Sequence, residues 1–250
     1  MNNTSICIAI HNGEKHLLDQ LTSFSNQTIL PDEIVACFDN CSDKSLNIFN
    51  EWKYKNPHLN IKNYLVTFNS HVLTFNYCLN KTRNNFIFLS DQDDVWSNDK
   101  IEVCLEIMQK DNHSVLIHDA IVTDENLKHL KSFFLPSYVL NNNWKNEKIK
   151  IFNFGKLKFY GCMMVLNKKK LNKFLPIPNL VESHDRWFGY AGYYFDDIYF
   201  LNKKLIKYRR HQGATSHSNG VDLATNKSNY SFFNKLKRAI ILHILYLKRI

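Results

Sequence analysis

Phe86-Ile87-Phe88-Leu89-Ser90-Asp91-Gln92-Asp93-Asp94-Val95-Trp96 is the stretch that decides how this chain folds. The apolar run from Phe86 to Leu89 reads as a buried strand. It leads straight into three carboxylates within four positions. Carboxylates gathered where a buried strand ends are costly unless something neutralises them. A divalent cation with oxygen ligands is the natural solution, and its usual companion is a phosphate-bearing substrate. The plain alternative is a solvated turn, where Asp is common.

Working outward, the first 120 residues alternate strand and helix signals. Ser5 to Ile10, Ile34 to Phe38, Ile61 to Phe68 and Val115 to Val122 read as further strands. Helical spacing appears at Leu17, Leu18, Leu21 and Phe24, at Leu46, Ile48, Phe49 and Trp52, over Val72 to Leu79, and at Ile101, Leu105 and Met108. This alternation predicts an α/β fold, a mostly parallel sheet flanked by helices with right-handed crossovers. Ligands of such sheets bind at the carboxyl ends of the strands. Three polar clusters lie there: His11-Asn12-Gly13-Glu14, Asp39 to Asp43, and Asp91 to Asp94.

The second half is less regular. Residues 141 to 158 are rich in Asn and Lys and read as a loop or irregular insertion. Phe159 to Leu166 reads as a strand around Gly161, and Lys204 to Tyr208 as a last strand before Arg209-Arg210-His211. Ser183 is placed to cap a helix that starts with His184-Asp185-Arg186-Trp187.

A length of 250 residues suits one large domain, with or without a small appendage. The net charge of +9 favours phosphate-rich partners: a nucleotide, an anionic membrane face or nucleic acid. No nucleic-acid reading motif accompanies it, and strand-end carboxylates repel a phosphate backbone. The six cysteines show no C-x-x-C pair and no zinc spacing, as expected of buried thiols in a reducing compartment. We find no signal-peptide pattern and no apolar run long enough to span a bilayer. The tail from Phe232 to Ile250 carries Lys235, Lys237, Arg238, Lys248 and Arg249 around an apolar stretch, with no acidic residue. It reads as a basic amphipathic helix lying in a membrane interface, the alternative being a terminal helix packed on the domain.

In order and spacing, the chain resembles the family 2 glycosyltransferases with the GT-A fold, in particular the bacterial rhamnosyltransferase-like branch. The resemblance covers roughly residues 4 to 215. It is carried by Ser5 to Glu14, Asn26-Gln27-Thr28, Pro31-Asp32-Glu33-Ile34, Asp39 to Asp43, Ser90 to Trp96, Gly161-Cys162, His184 to Trp187 and Tyr208-Arg209-Arg210-His211. It implies a GT-A domain over 1–215, with a nucleotide-sugar half (1–120) and an acceptor half (121–215), followed by a linker and membrane-associating helix over 216–250.

The implied activity is sugar transfer, with inversion, from a UDP- or dTDP-linked sugar to a hydroxyl of a lipid-linked glycan in bacterial surface polysaccharide synthesis. The implied place is the cytoplasmic side, at the inner face of the cell membrane, with no nucleic acid as partner. Ala9, His11, Glu14, Asp39 and Asn40 fall on the base and ribose positions. Asp91-Gln92-Asp93 falls on the aspartate-x-aspartate motif, with Asp91 at the ribose or a metal-bound water and Asp93 on Mg²⁺ or Mn²⁺. His211 falls on a third metal or diphosphate contact and Asp185 on the catalytic base. His184 reads as a structural imidazole.

Three positions depart from the family pattern. His11 stands where an aromatic ring is usual, Asn40 where a second acidic residue is usual, and the loop after Asn69 lacks a glycine, which leaves the diphosphate contacts in residues 69 to 77 unassigned. The competing functions are a metal-dependent sugar nucleotidyltransferase and a non-enzymatic basic protein binding nucleic acid or membrane. The first wants a glycine-rich basic loop after the first strand, and His11 to His16 offers one Gly and one Lys.

Overall fold

The computed structural model describes residues 2–132, 159–195, 197–211 and 232–249. The insertion expected at 141–158 and the linker expected from 216 lie outside or mostly outside these residues.

Four strands, β1 (Thr4–Ile10), β2 (Glu33–Asp39), β3 (Ile61–Val66) and β4 (Phe86–Ser90), pair in parallel in the order β3-β2-β1-β4. Every residue of β2 and β4 is buried, as expected of strands covered on both faces. β3, at the edge, is mostly half-exposed. The crossovers are helices α1 (Leu17–Ser25), α2 (Ser45–Lys55) and α3 (His71–Lys81). Helix α3 lies on β1 and β2. Its start is fixed by Ser70, whose hydroxyl accepts from the Leu73 amide, and by Asp39 at the end of β2. The Asp39 carboxylate accepts from the Asn69 and Ser70 amides at 2.9 and 3.0 Å and from the Thr74 hydroxyl at 2.8 Å.

The rest of the sheet is built differently. β5 (Val95–Trp96) and α4 (Lys100–Asp111) follow the acidic cluster. Then come β6 (Val115–Thr123), β7 (His129–Ser132), β8 (Met164–Asn167), a short helix α5 (Lys168–Leu171), α6 (His184–Tyr194) and β9 (Ile198–Arg209). The sheet continues from β4 as β8-β6-β9-β5, with β7 also on β6. β8 joins β4 and β6 antiparallel, while β6 and β9 are parallel.

Three expectations are corrected here. The predicted strand over Phe159 to Leu166 starts only at Met164, because Gly161–Met163 forms a 3₁₀ turn. That turn is pinned by Lys100 Nζ, which donates to the Cys162 carbonyl at 2.8 Å. The last strand runs from Ile198 instead of Lys204; exposed Asn202, Lys203 and Lys204 disguise it, and its register with β6 shifts after His118. The third strand ends at Val66, and Asn69 then turns at φ 50° into α3.

The tail forms α7 (Phe232–Leu247). Its far end packs on the domain: Tyr246 is 3% exposed, stacks on Trp187 with ring centroids 4.6 Å apart, and donates its hydroxyl to the Trp187 carbonyl. Arg249 donates to the carbonyls of Lys173, Leu175 and Pro176. Among the described residues no helix is long and apolar enough to cross a membrane.

Burial works to raise the Asp39 pKa, but its hydrogen bonds from Asn69, Thr74 and Ser70 outweigh it and hold the carboxyl below its ordinary 3.8. A carboxyl depressed in the folded state stabilises fully above its unfolded pKa, and that contribution is lost as pH falls through the folded value. We expect Asp39→Ala to lower stability at pH 7 by about 2–3 kcal/mol, since charge-assisted bonds are removed and buried donors orphaned. Urea unfolding checks this, and the difference from wild type should shrink as the pH falls below the ordinary value.

Candidate active site at the strand ends

Loops after β1, β2 and β3 are locked together before any ligand enters. Asn12, Asn40 and Asn69 each turn the chain at φ 49–50°, a left-handed conformation Asn tolerates well. Asn12 Oδ1 accepts from the Ser42 amide at 2.8 Å, and Asn40 Nδ2 donates to Asn69 Oδ1 at 2.9 Å. The Glu14 amide donates to Asp43 at 2.8 Å, while the Glu14 carboxylate accepts from the Lys44 amide at 3.1 Å. Glu14, assigned from sequence to the base or ribose, thus caps the start of α2.

His11 is exposed, and its Nδ1 donates to the Asp39 carbonyl at 2.6 Å; a carbonyl only accepts, so this nitrogen carries the proton. Ala9, half-buried near the end of β1, pairs with Cys37 and packs against the core. Asp39 is 4% exposed and spends both carboxylate oxygens on the turn into α3. Its carbonyl, through His11, is the part of it that faces the first loop.

The acidic cluster occupies the end of β4. Asp94 is fully buried; one of its oxygens accepts from the Arg209 amide at 3.0 Å and the other has no partner. Asp93 and His211 meet at 2.8 Å, carboxylate to Nε2. Burial, then the charges of Asp93 and Asp185, push the Asp91 carboxyl up to about 7. Burial and the charges of Asp93 and Asp91 push Asp94 well above its ordinary value. Beneath them lies Lys100, fully buried, with Nζ 3.8 Å above the Trp96 ring. Burial lowers its pKa to about 8, against the opposing pull of the nearby thiols and carboxylates.

On the far side, Arg209 is 3% exposed and donates to Asp19 Oδ2 at 2.7 Å and to His16 Nδ1 at 2.5 Å. The His16 ring packs against His211, centroids 4.7 Å apart.

Asp185 arrives from a separate element. Ser183 caps α6 by accepting from the Arg186 amide at 3.4 Å, which puts Asp185 in the first turn. Its neighbour His184 is 5% exposed and stacks on Phe75 at 3.8 Å, and burial keeps it neutral by pushing its pKa well down. Gly161 makes that seat possible, since a Cβ there would overlap His184 Nε2. The Asp185 carboxyl is raised to about 6, by burial against the opposing bond and charge of Arg186. It lies near enough to Asp91 to raise that group in turn.

Asp91, Asp93, His211 and Asp185 are therefore gathered at one strand end. Ala9 and Asp39 sit at the ends of β1 and β2, and His11, Glu14 and Asn40 lie in the loops that follow them. The sequence reading missed the separate standing of Asp94, and it missed Gln92, Lys100, Arg209 and His16. Lys100 had a signal: a cation at the first position of a helix opposes the dipole, so it needs another reason to be there.

The cluster fits a hard divalent cation. The carboxylates of Asp91 and Asp94 are hard oxygen donors, and a buried Asp94 oxygen lacks any partner. Asp91, Asp94 and Cys162 offer ligand atoms within 4.8 Å of one another. Burial and the flanking carboxylate charges keep the Cys162 thiol protonated, which removes the soft thiolate that would favour zinc.

A nucleotide-type parallel half, an antiparallel extension and carboxylates gathered at their junction define a GT-A glycosyltransferase fold. The sequence model for Glycosyl transferase family 2 matches residues 5–175. The chain belongs to that family. Two relatives agree: an uncharacterized glycosyltransferase of Rickettsia typhi, 24% identical over 92% of this chain and 71% of its own length, and one of Haemophilus influenzae, 26% identical over 98% and 88%. Among solved structures, Staphylococcus aureus TarS 1-349 in complex with UDP-GlcNAc is similar in fold, with a TM-score of 0.67 at 16% identity over 96% of this chain and 72% of that one. So is the mannosyltransferase PcManGT of Pyrobaculum calidifontis in complex with GDP-Man and Mn²⁺, with a TM-score of 0.63 at 11% identity over 99% and 70%.

A carboxyl whose folded pKa exceeds its unfolded one binds its proton more tightly in the native state. Stability in chelator should therefore fall as pH rises from the ordinary 3.8 of Asp91 through its raised value of about 7. We expect Asp91→Asn to raise the thermal midpoint at pH 8 in chelator, and Mn²⁺ to raise the midpoint of the wild type at the same pH. Thermal scans across pH with and without Mn²⁺ test both; a midpoint in chelator that rises over this window would refute the electrostatic reading.

Proposed function

We propose that this glycosyltransferase moves a sugar, with inversion, from a UDP- or dTDP-linked donor to a hydroxyl of a lipid-linked glycan, using Asp185 as general base. One observation carries the reading: the Asp185 carboxyl, delivered by its own helix, sits beside the Asp91 end of the acidic cluster with its pKa near 6. At pH 7 such a group is mostly ionised yet close enough to the working pH to accept a proton effectively. Inversion needs the hydroxyl to attack opposite the leaving diphosphate, and a base carried on α6 rather than on the strand-end loops that would hold the diphosphate is compatible with that.

Asp91, Asp93 and His211 would hold a divalent cation, which would supply charge neutralisation for the leaving diphosphate. The chain's own residues do the rest. Arg209 fixes His16 beside His211, and its amide holds Asp94. His11 presents an exposed ring for the base, oriented by the Asp39 carbonyl. Asn40 is exposed and its amide nitrogen is committed to Asn69, so its oxygen would be the acceptor for a pyrimidine N3–H. The complexes of TarS with UDP-GlcNAc and of PcManGT with GDP-Man and Mn²⁺ are consistent with a nucleotide-sugar donor and a cation.

The acceptor proposal rests on α7. Ile240, Ile244 and Leu247 are 47%, 47% and 54% exposed and recur at helical spacing, opposite the buried Tyr246. Lys237 on the same helix and Lys248 just past its end are exposed. An apolar stripe flanked by cations suits the anionic inner face of a cell membrane, where a lipid-linked glycan would be met.

Asp185→Asn is expected to lower kcat by about 10²–10⁴-fold while donor Kd changes little. In the wild type, kcat/KM should decline as pH falls below about 6, as Asp185 takes up its proton. Steady-state rates and calorimetry on one preparation decide; near-normal turnover would move the base elsewhere. For the membrane, deleting the whole helix would also strip Tyr246 from Trp187, so point substitutions separate the roles. Ile240→Asp with Ile244→Asp should release the protein from anionic vesicles in a flotation assay at an unchanged thermal midpoint. Tyr246→Ala should instead lower the midpoint.

A further inference from the structure

Gln92, the middle residue of Asp91-Gln92-Asp93, has no role in the reaction described above, yet its contacts are highly specific. The His11 amide donates to Gln92 Oε1 at 2.6 Å, and Gln92 Nε2 donates to the His11 carbonyl at 2.8 Å. The side-chain amide thus pairs with both backbone groups of one residue, 81 positions away in sequence. Only Asn and Gln carry a donor and an acceptor in this planar arrangement. Asp or Glu would place a second acceptor against the His11 carbonyl.

Gly13 completes the contact. A Cβ there would stand 2.8 Å from both Cδ and Oε1 of Gln92. Its φ lies outside the left-handed region, so space for Gln92, not backbone freedom, explains the glycine.

We propose that Gln92 is a positioning residue that welds the loop after β1 to the acidic loop after β4, so that an ion at Asp91 and Asp93 and a nucleoside at His11 report to each other through the protein. The nucleoside part rests on the function proposed above; the weld itself does not. The chemistry is simple. Asp91 and Asp93 flank Gln92 directly, so any cation that orders their carboxylates also orders the amide between them. The amide then holds the His11 backbone, and the His11 ring is in turn fixed to the Asp39 carbonyl. A mobile first loop would pay its ordering entropy again each time a donor bound, whereas a welded one is ordered in advance.

The test uses the full chain, with Mg²⁺ and free nucleosides as probes. Nucleosides lack phosphate, so a metal effect on their binding must pass through the protein. Gln92→Met keeps the bulk beside Gly13 and removes both hydrogen bonds. Gly13→Ala attacks the same contact from the other side and serves if the first variant folds poorly. Amide hydrogen exchange is followed by NMR over residues 11–14. We expect exchange at His11 to be about tenfold faster in either variant, and Mg²⁺ to slow it in the wild type only. Mg²⁺ should also tighten binding of the preferred nucleoside, among uridine, thymidine and guanosine, about threefold or more in the wild type and not in Gln92→Met. Mg²⁺ affinity itself should stay within about twofold, since Gln92 spends its amide on His11 and not on the ion.

Unchanged His11 exchange in both variants, or Mg²⁺ protection that survives in Gln92→Met, overturns the weld. If the exchange results hold but no nucleoside binds with or without Mg²⁺, the donor-site reading fails and the weld stands.

Discussion

Asp91, Asp93 and Asp94 repel one another at the end of a buried strand, and much of the surrounding structure answers that repulsion. Lys100 answers from below, fully buried between the Trp96 ring and the Cys162 carbonyl. The Arg209 amide answers from β9 by gripping one oxygen of Asp94, and His211, two residues further on, takes Asp93. These contacts do not discharge the cluster, because Asp91 and Asp94 remain raised. Cutting water out of such a site strengthens every remaining charge interaction in it. A place that favours added positive charge, built on rigid strand ends, is suited to a cation and a leaving diphosphate.

The same constraint explains why the sheet changes character beyond β4. A purely parallel sheet would put only loop residues above the acidic cluster. Inserting β8 antiparallel beside β4 brings the Gly161–Met163 turn against it instead. That turn carries the carbonyl that holds Lys100 and the glycine that seats His184. His184 sits directly before Asp185 in α6. Counter-charge and candidate base are thus positioned by one three-residue turn.

Much of the first half was legible because its signals are local. Short apolar runs ending in polar clusters predict both the strands and the side of the sheet where those clusters gather. Asp91 and Asp93 were legible for the same reason. Asp185 was legible only through family resemblance; by itself a carboxylate at a helix start is explained by the dipole. The second half was read less well, for physical reasons. β9 contains three consecutive exposed residues and a register shift, which breaks the period of two. The turn at Gly161 looks apolar enough to continue as a strand, and what pins it is a lysine 62 positions before Cys162. Gln92 and His11 are a pair that no period links, since the bond joins side chain to backbone.

The tail packs at one end, and its other face is the ground of the membrane reading proposed above. Its composition left a choice between a membrane-facing helix and a packed one. Tyr246 and Arg249 resolve the far end as packed, against Trp187 and the carbonyls of Lys173, Leu175 and Pro176. Yet one helix has two faces, and Ile240, Ile244 and Leu247 remain on the other. Trp187 is two residues beyond Asp185 on α6, so the packed face is bolted to the helix that carries the candidate base. A surface that held the exposed face would also set the orientation of α6. Whatever seats on that exposed face and the candidate base Asp185 would then share one rigid support.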